Sequence, residues 1–161
     1  MKRGLLALGI AGLAATACLV LITILASRDK AEVGADVNIG TLEPDRGASH
    51  ATGPQTPASP PHQPPTSGPH RPEPVERDRT ELSDDQILEA LHLGNVVIAY
   101  EGAPPTDLQL DPFSPELAAA GQAVILDHRP GIGQTTALAW RRRSTERLPE
   151  FIDAYLGQGP G

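Results

Sequence analysis

The chain has 161 residues, enough for one domain of ordinary size. Its 16 glycines and 17 prolines make up about a fifth of the sequence, and aromatics are only 3%, which excludes a large aromatic core. A formal net charge of −7 and a pI near 5.1 argue against a nucleic-acid partner, which needs a basic face. The single cysteine, Cys18, excludes both an intramolecular disulfide framework and a thiolate zinc knuckle.

Residues 4–27 carry no charge and are mostly apolar. As a helix they would reach roughly 36 Å, enough to cross a bilayer core of about 30 Å. A cleaved signal peptide has a shorter apolar run, and the latest cut would leave Ile24 at the −3 position. The expectation is an uncleaved signal-anchor over residues 1–30, with the lipid bilayer as partner of residues 4–27. Lys2 and Arg3 precede the span, and Arg28 and Lys30 follow it. The short first flank and the long polar remainder favour a cytoplasmic N-terminus and an extracytoplasmic C-terminal part of a single-pass protein in the cell membrane. Ala15-Thr16-Ala17-Cys18 resembles a bacterial lipoprotein processing box, but a second apolar stretch follows it, so Cys18 also reads as a small apolar residue of the span. Ala7, Ala11 and Ala15 recur every four residues, a spacing that lets another helix approach.

Residues 44–74 hold ten of the 17 prolines. Each removes a backbone donor and fixes φ, so neither helix nor sheet propagates. The reading is a disordered, extended Pro-rich linker, bounded at residues 31–61, that spaces the last domain from the membrane. His50 and His62 are read as solvated linker histidines.

Residues 62–161 are predicted to form a small α+β domain with about three strands and three helices. Ser83 and Gln86 make a capping box for a first helix, whose apolar positions are Ile87, Leu88, Leu91 and Leu93. Gly94 or Asn95 ends it. Val96-Val97-Ile98-Ala99-Tyr100 is a strand buried on both faces. Ser114 and Pro115 open a second helix that runs to Ala120, and Gly121 stops it. Ala123-Val124-Ile125-Leu126 is a second strand, Pro130-Gly131 a turn, and residues 135–140 a third strand. Leu148, Phe151, Ile152 and Tyr155 give a closing helix its core-facing stripe. Trp140 is read as a core anchor. Arg141-Arg142-Arg143 is read as a solvated strand end paired with Glu146 or Glu150, with an acidic partner or anionic lipid as the alternative.

Four pieces in this order resemble an uncharacterised bacterial family, domain of unknown function 3105. They are Pro64-Pro65-Thr66-Ser67-Gly68-Pro69-His70; Leu91-x-x-Gly94 followed by Val96-Val97-Ile98-x-Tyr100; Pro130-Gly131 followed by Ala139-Trp140-x-Arg142; and Phe151-Ile152-x-x-Tyr155. The resemblance covers about residues 62–161 and implies a membrane-anchored, outward-facing protein. This chain departs from the family's His-x-Leu-Glu-His-Gly stretch, which here reads Glu89-Ala90-Leu91-His92-Leu93-Gly94. The Gly of the family's Ala-Trp-Gly-Arg is Arg141.

Glu89 and His92 are three apart, so they share a helix face. Glu-x-x-His binds transition metals when a further ligand faces it. His70 could supply that ligand, and His128, just after the second strand, is a fourth candidate. The candidate metal set is therefore His70, Glu89, His92 and His128, with copper or zinc as the ion. The alternative is a surface Glu–His pair with solvated histidines elsewhere. No catalytic or cofactor-binding residues are assigned: a phosphate loop, a nucleophile elbow, His-Glu-x-x-His and a calcium loop are all missing. The expected function is a non-enzymatic, membrane-tethered accessory or binding domain of the cell envelope, with metal handling as its chemistry and an envelope protein as a candidate partner. The alternatives are a metal-dependent enzyme built on the Glu89–His92 helix and a structural domain with a degenerate site.

Overall fold

Ser83 starts the first helix of the domain as the sequence requires. In the computed structural model, which describes residues 38–52 and 59–161, its hydroxyl accepts from the Gln86 backbone N–H, and the Gln86 side chain accepts from the Ser83 N–H. The helix is α1, Asp84–Leu93. Gly94 closes it at φ 106°, a left-handed conformation that only glycine adopts at little cost. The anchor expected at residues 4–27, with Cys18, lies outside the described residues. Among the described residues no helix is long and apolar enough to cross a membrane.

The remaining elements are β1 (Thr41–Leu42), β2 (Val96–Tyr100), α2 (Pro115–Ala119), β3 (Val124–His128), β4 (Thr136–Ala139), β5 (Arg142–Ser144) and α3 (Leu148–Tyr155). The strands form one sheet in the order β1-β5-β4-β2-β3. β2 and β3 are parallel, with Val96 opposite Val124 and Tyr100 opposite His128, and the other pairings are antiparallel. The architecture is α+β with three helices, as expected, but with five strands among the described residues instead of about three. The segment expected as one strand over residues 135–140 ends at Ala139. The chain then turns at Trp140-Arg141 and returns as β5.

The central strands β2 and β4 are buried on both sides, and β2 alternates between them. Val97 and Ala99 join Ile87, Leu91, Ala118, Ile125 and Leu138 under α1 and α2. Val96, Ile98 and Tyr100 join Leu126, Ala137, Phe151 and Ile152 under α3. Asn95 ties the ends of three elements together from a fully buried position. Its amide donates to the carbonyls of Ala90 and Ala118, and its oxygen accepts from the Ala123 N–H. Asp127, also fully buried, accepts from the Leu82 N–H and from Arg129, and Arg129 donates in turn to the Leu82 carbonyl.

The described part of the expected linker packs on this sheet instead of standing off it. Thr41 pairs with Arg143 and Leu42 with Arg142. The reason is side-chain chemistry at long range. Glu43 meets Arg143, Asp45 meets Arg141, and Asn38 accepts from Arg142. The three arginines are thus engaged by the N-terminal strap, and not by Glu146 or Glu150 as the sequence suggested; Glu150 pairs with Arg147. The prolines that follow carry an extended run in which Pro64, Thr66, Ser67 and His70 are buried.

Candidate metal centre

The strap brings two histidines together. A parallel bridge pairs His50 with His70: the His70 N–H donates to the Ser49 carbonyl at 3.2 Å, and the Ala51 N–H to the His70 carbonyl at 2.8 Å. Arg71, the next residue, is clamped to α1. Its backbone N–H and its Nε donate to the two carboxylate oxygens of Asp85 at 3.0 and 2.8 Å. This clamp sets His70 against the helix face that carries Glu89 and His92, one turn apart.

The four side chains converge. His70 Nε2 lies 3.1 Å from Glu89 Oε2, His50 Nε2 lies 3.4 Å from the same oxygen, and His92 Nδ1 lies 3.3 Å from His70 Nε2. One donor atom from each of His50, His70, Glu89 and His92 falls within 4.8 Å of all the others. A tetrahedral ion with bonds of about 2.0–2.1 Å separates its donors by roughly 3.3–3.4 Å, and the spacings of 3.1, 3.3 and 3.4 Å lie close to that value.

The protons make the same point. His70 Nδ1 is 2.9 Å from the Gly68 carbonyl, which can only accept, so Nδ1 carries the hydrogen. In the neutral ring Nε2 then presents a lone pair, and it faces a carboxylate oxygen and another imidazole nitrogen. These contacts are satisfied either by N–H hydrogens on the neighbouring imidazoles or by a metal ion among the lone pairs. The Gly68 carbonyl also orients the ring, as an outer-shell acceptor does for a metal-bound histidine. Burial lowers the His92 pKa, with His70 acting in the same direction and Glu89 opposing, which favours the neutral imidazole that coordinates a metal.

Burial is graded across the site. The His70 side chain is 0% exposed, Glu89 13% and His50 50%. Trp140 stands beside the cluster, its ring centroid 5.7 Å from that of His92 and 6.4 Å from that of His70. It packs on the core as expected, and it also walls the site.

The structure therefore brings together three of the four residues expected as ligands, His70, Glu89 and His92. His128 stands elsewhere, with its ring 5.4 Å from that of Tyr100. The reason is register. α1 leads through Gly94 into the start of β2, while His128 pairs with Tyr100 at the far end of the parallel strands, four residues or about 13 Å along. The fourth place is taken by His50, which the sequence reading left in a solvated linker. The signal that could have found it is the family-like His70 segment, which has to be covered by something. Nothing local in Ser49-His50-Ala51 identifies the cover.

No curated protein and no solved structure matches this chain. Residues 52–161 match a family described as Protein of unknown function (DUF3105), and this span holds His70, Glu89 and His92 while stopping just short of His50. With more than half of its length matched, the chain belongs to that family.

Proposed function

We propose that this protein is a metal-binding domain that holds one zinc-type divalent ion on His50, His70, Glu89 and His92. The observation that carries the reading is the convergence of four donor atoms within 4.8 Å of one another, with His70 Nε2 and Glu89 Oε2 at its centre. Three imidazoles and one carboxylate suit Zn(II) by geometry, and Cu(II) by intrinsic affinity. Four protein donors complete a tetrahedron, whereas a catalytic zinc keeps a position for water or substrate. Binding is therefore favoured over catalysis. With residues 4–27 as an anchor, the domain would hold its ion at the outer face of the cell membrane, where metal handling in the envelope is its role.

The test is calorimetric titration of the full chain, kept in detergent micelles, with Zn(II) and with Cu(II). The expected result is saturable uptake of one ion per chain. Absence of saturable uptake of either ion would overturn the reading.

A further inference from the structure

The four ligands are not held alike, and the difference bears on what the site does with its ion. His70 is fully buried, and its outer nitrogen is fixed by the Gly68 carbonyl. Glu89 and His92 belong to a helix capped at both ends. His50 is half exposed, and among the described residues its ring contacts are with members of the cluster: Glu89 through Nε2, and the rings of His70 and His92 at centroid distances of 5.2 and 5.1 Å. Among the described residues no hydrogen bond orients its other nitrogen. Outer-shell hydrogen bonds fix the orientation of a metal-bound histidine and raise its basicity. Among the described residues only His70 has one; of the other three, His50 is the most exposed and the one not carried on the capped helix, so it is the one an incoming donor displaces.

We propose that His50 is a displaceable ligand, and that the site passes its ion to an incoming imidazole or thiolate by ligand-assisted exchange. This rests on the metal-binding reading above. In the exchange step the incoming nitrogen or sulfur forms a bond to the ion from the solvent side. The bond from the ion to His50 Nε2 breaks, and the imidazole swings out with its lone pair. His70, Glu89 and His92 keep the ion until further donors of the acceptor replace them. Nothing is oxidised or reduced. A purely structural ion would be enclosed on every side and would leave only by its own slow dissociation. Here buried His70 with partly buried Glu89 and His92 supplies retention, and the exposed fourth ligand supplies access, the division of labour a transfer site needs. The acceptor this chemistry selects is a protein or small molecule that offers histidine or cysteine donors.

The experiment loads the full chain with one Zn(II) in detergent micelles. It then follows zinc release to the coloured chelator 4-(2-pyridylazo)resorcinol over a range of chelator concentrations in excess. Exchange through His50 predicts a release rate that rises in proportion to chelator concentration. It also predicts that His50→Ala still binds one zinc, about 10–100-fold more weakly, and releases it at least about 10-fold faster. Because His50 is half exposed, this substitution leaves the core untouched. A release rate independent of chelator concentration would overturn the exchange while leaving zinc binding in place, and so would a His50→Ala rate equal to that of the parent chain. A chain that takes up no zinc in the calorimeter removes both readings.

Discussion

His70 Nε2 lies 3.3 Å from His92 Nδ1, although one ring arrives on an extended proline-rich strap and the other on a helix 22 residues later. The meeting depends on His70 being the buried centre of the cluster. Replacing His70 or His92 by Ala should therefore weaken zinc binding by more than about 100-fold, beyond the 10–100-fold typical of losing an outer-shell partner. His128→Ala and His62→Ala should stay within about twofold of the parent chain, since neither joins the cluster. Calorimetric titration of the four variants checks this. A large loss in His128→Ala would contradict the assignment.

The single tryptophan gives the site its own reporter. Trp140 stands within 5.7 Å of the His92 ring, centroid to centroid. Binding of paramagnetic Cu(II) should quench its emission in step with site occupancy and saturate at one ion per chain. Zn(II), which has no unpaired electron or redox chemistry, should leave the emission largely intact and, in large excess, raise the copper concentration needed for quenching. Quenching that grows without saturation would place the copper elsewhere.

Asp85 holds the strap that delivers His70. It is buried and accepts two hydrogen bonds from Arg71. Asp85→Ala should lower zinc affinity by about 10–100-fold although its carboxylate bonds to Arg71 and not to a ligand, because His70 loses its fixed position. It should also lower the stability of the domain, since the strap loses both hydrogen bonds that clamp it to α1. Chemical denaturation of the zinc-free chain and calorimetry of the loaded one separate the two effects. Unchanged affinity would mean that the bridge to His50 suffices to place His70.

Much of the domain could be read from local pattern. The Ser83–Gln86 capping box, the unbroken apolar run of β2 and the closing stripe of α3 each depend on neighbours within one element, and each appears where the sequence places it. Glu89 and His92 were legible for the same reason, as a pair on one helix turn. β1 was not. A strand of two residues has no periodicity, and its stability comes from partners about a hundred positions away, such as Glu43 with Arg143. His50 was missed with it, because its place is set by a bridge to His70 and not by its own surroundings. His128 was misplaced because sequence distance from a strand's end does not say to which end of the parallel pair the helix returns.

Arg141 sits at φ 59° in the β4–β5 turn, at the position where the family pattern has Gly. A side chain in this left-handed region costs roughly 1–2 kcal/mol relative to right-handed backbone, and glycine avoids most of it. The side chain returns little, since its pair with Asp45 is partly solvated. Arg141→Gly should leave the backbone bonds of the turn intact and stabilise the domain by about 0.5–1 kcal/mol, read as a raised denaturation midpoint. A lowered midpoint would show that the arginine contributes more through packing than its turn conformation costs.

The central claim is that three imidazoles and one carboxylate surround a single ion. X-ray absorption at the zinc edge of the loaded, gel-filtered chain reads that shell directly. The account predicts four nitrogen and oxygen neighbours at about 2.0–2.1 Å, with the outer-shell scattering of three imidazole rings, falling to two rings in His92→Ala. A six-coordinate shell of oxygen alone, or no zinc retained after filtration, would contradict it.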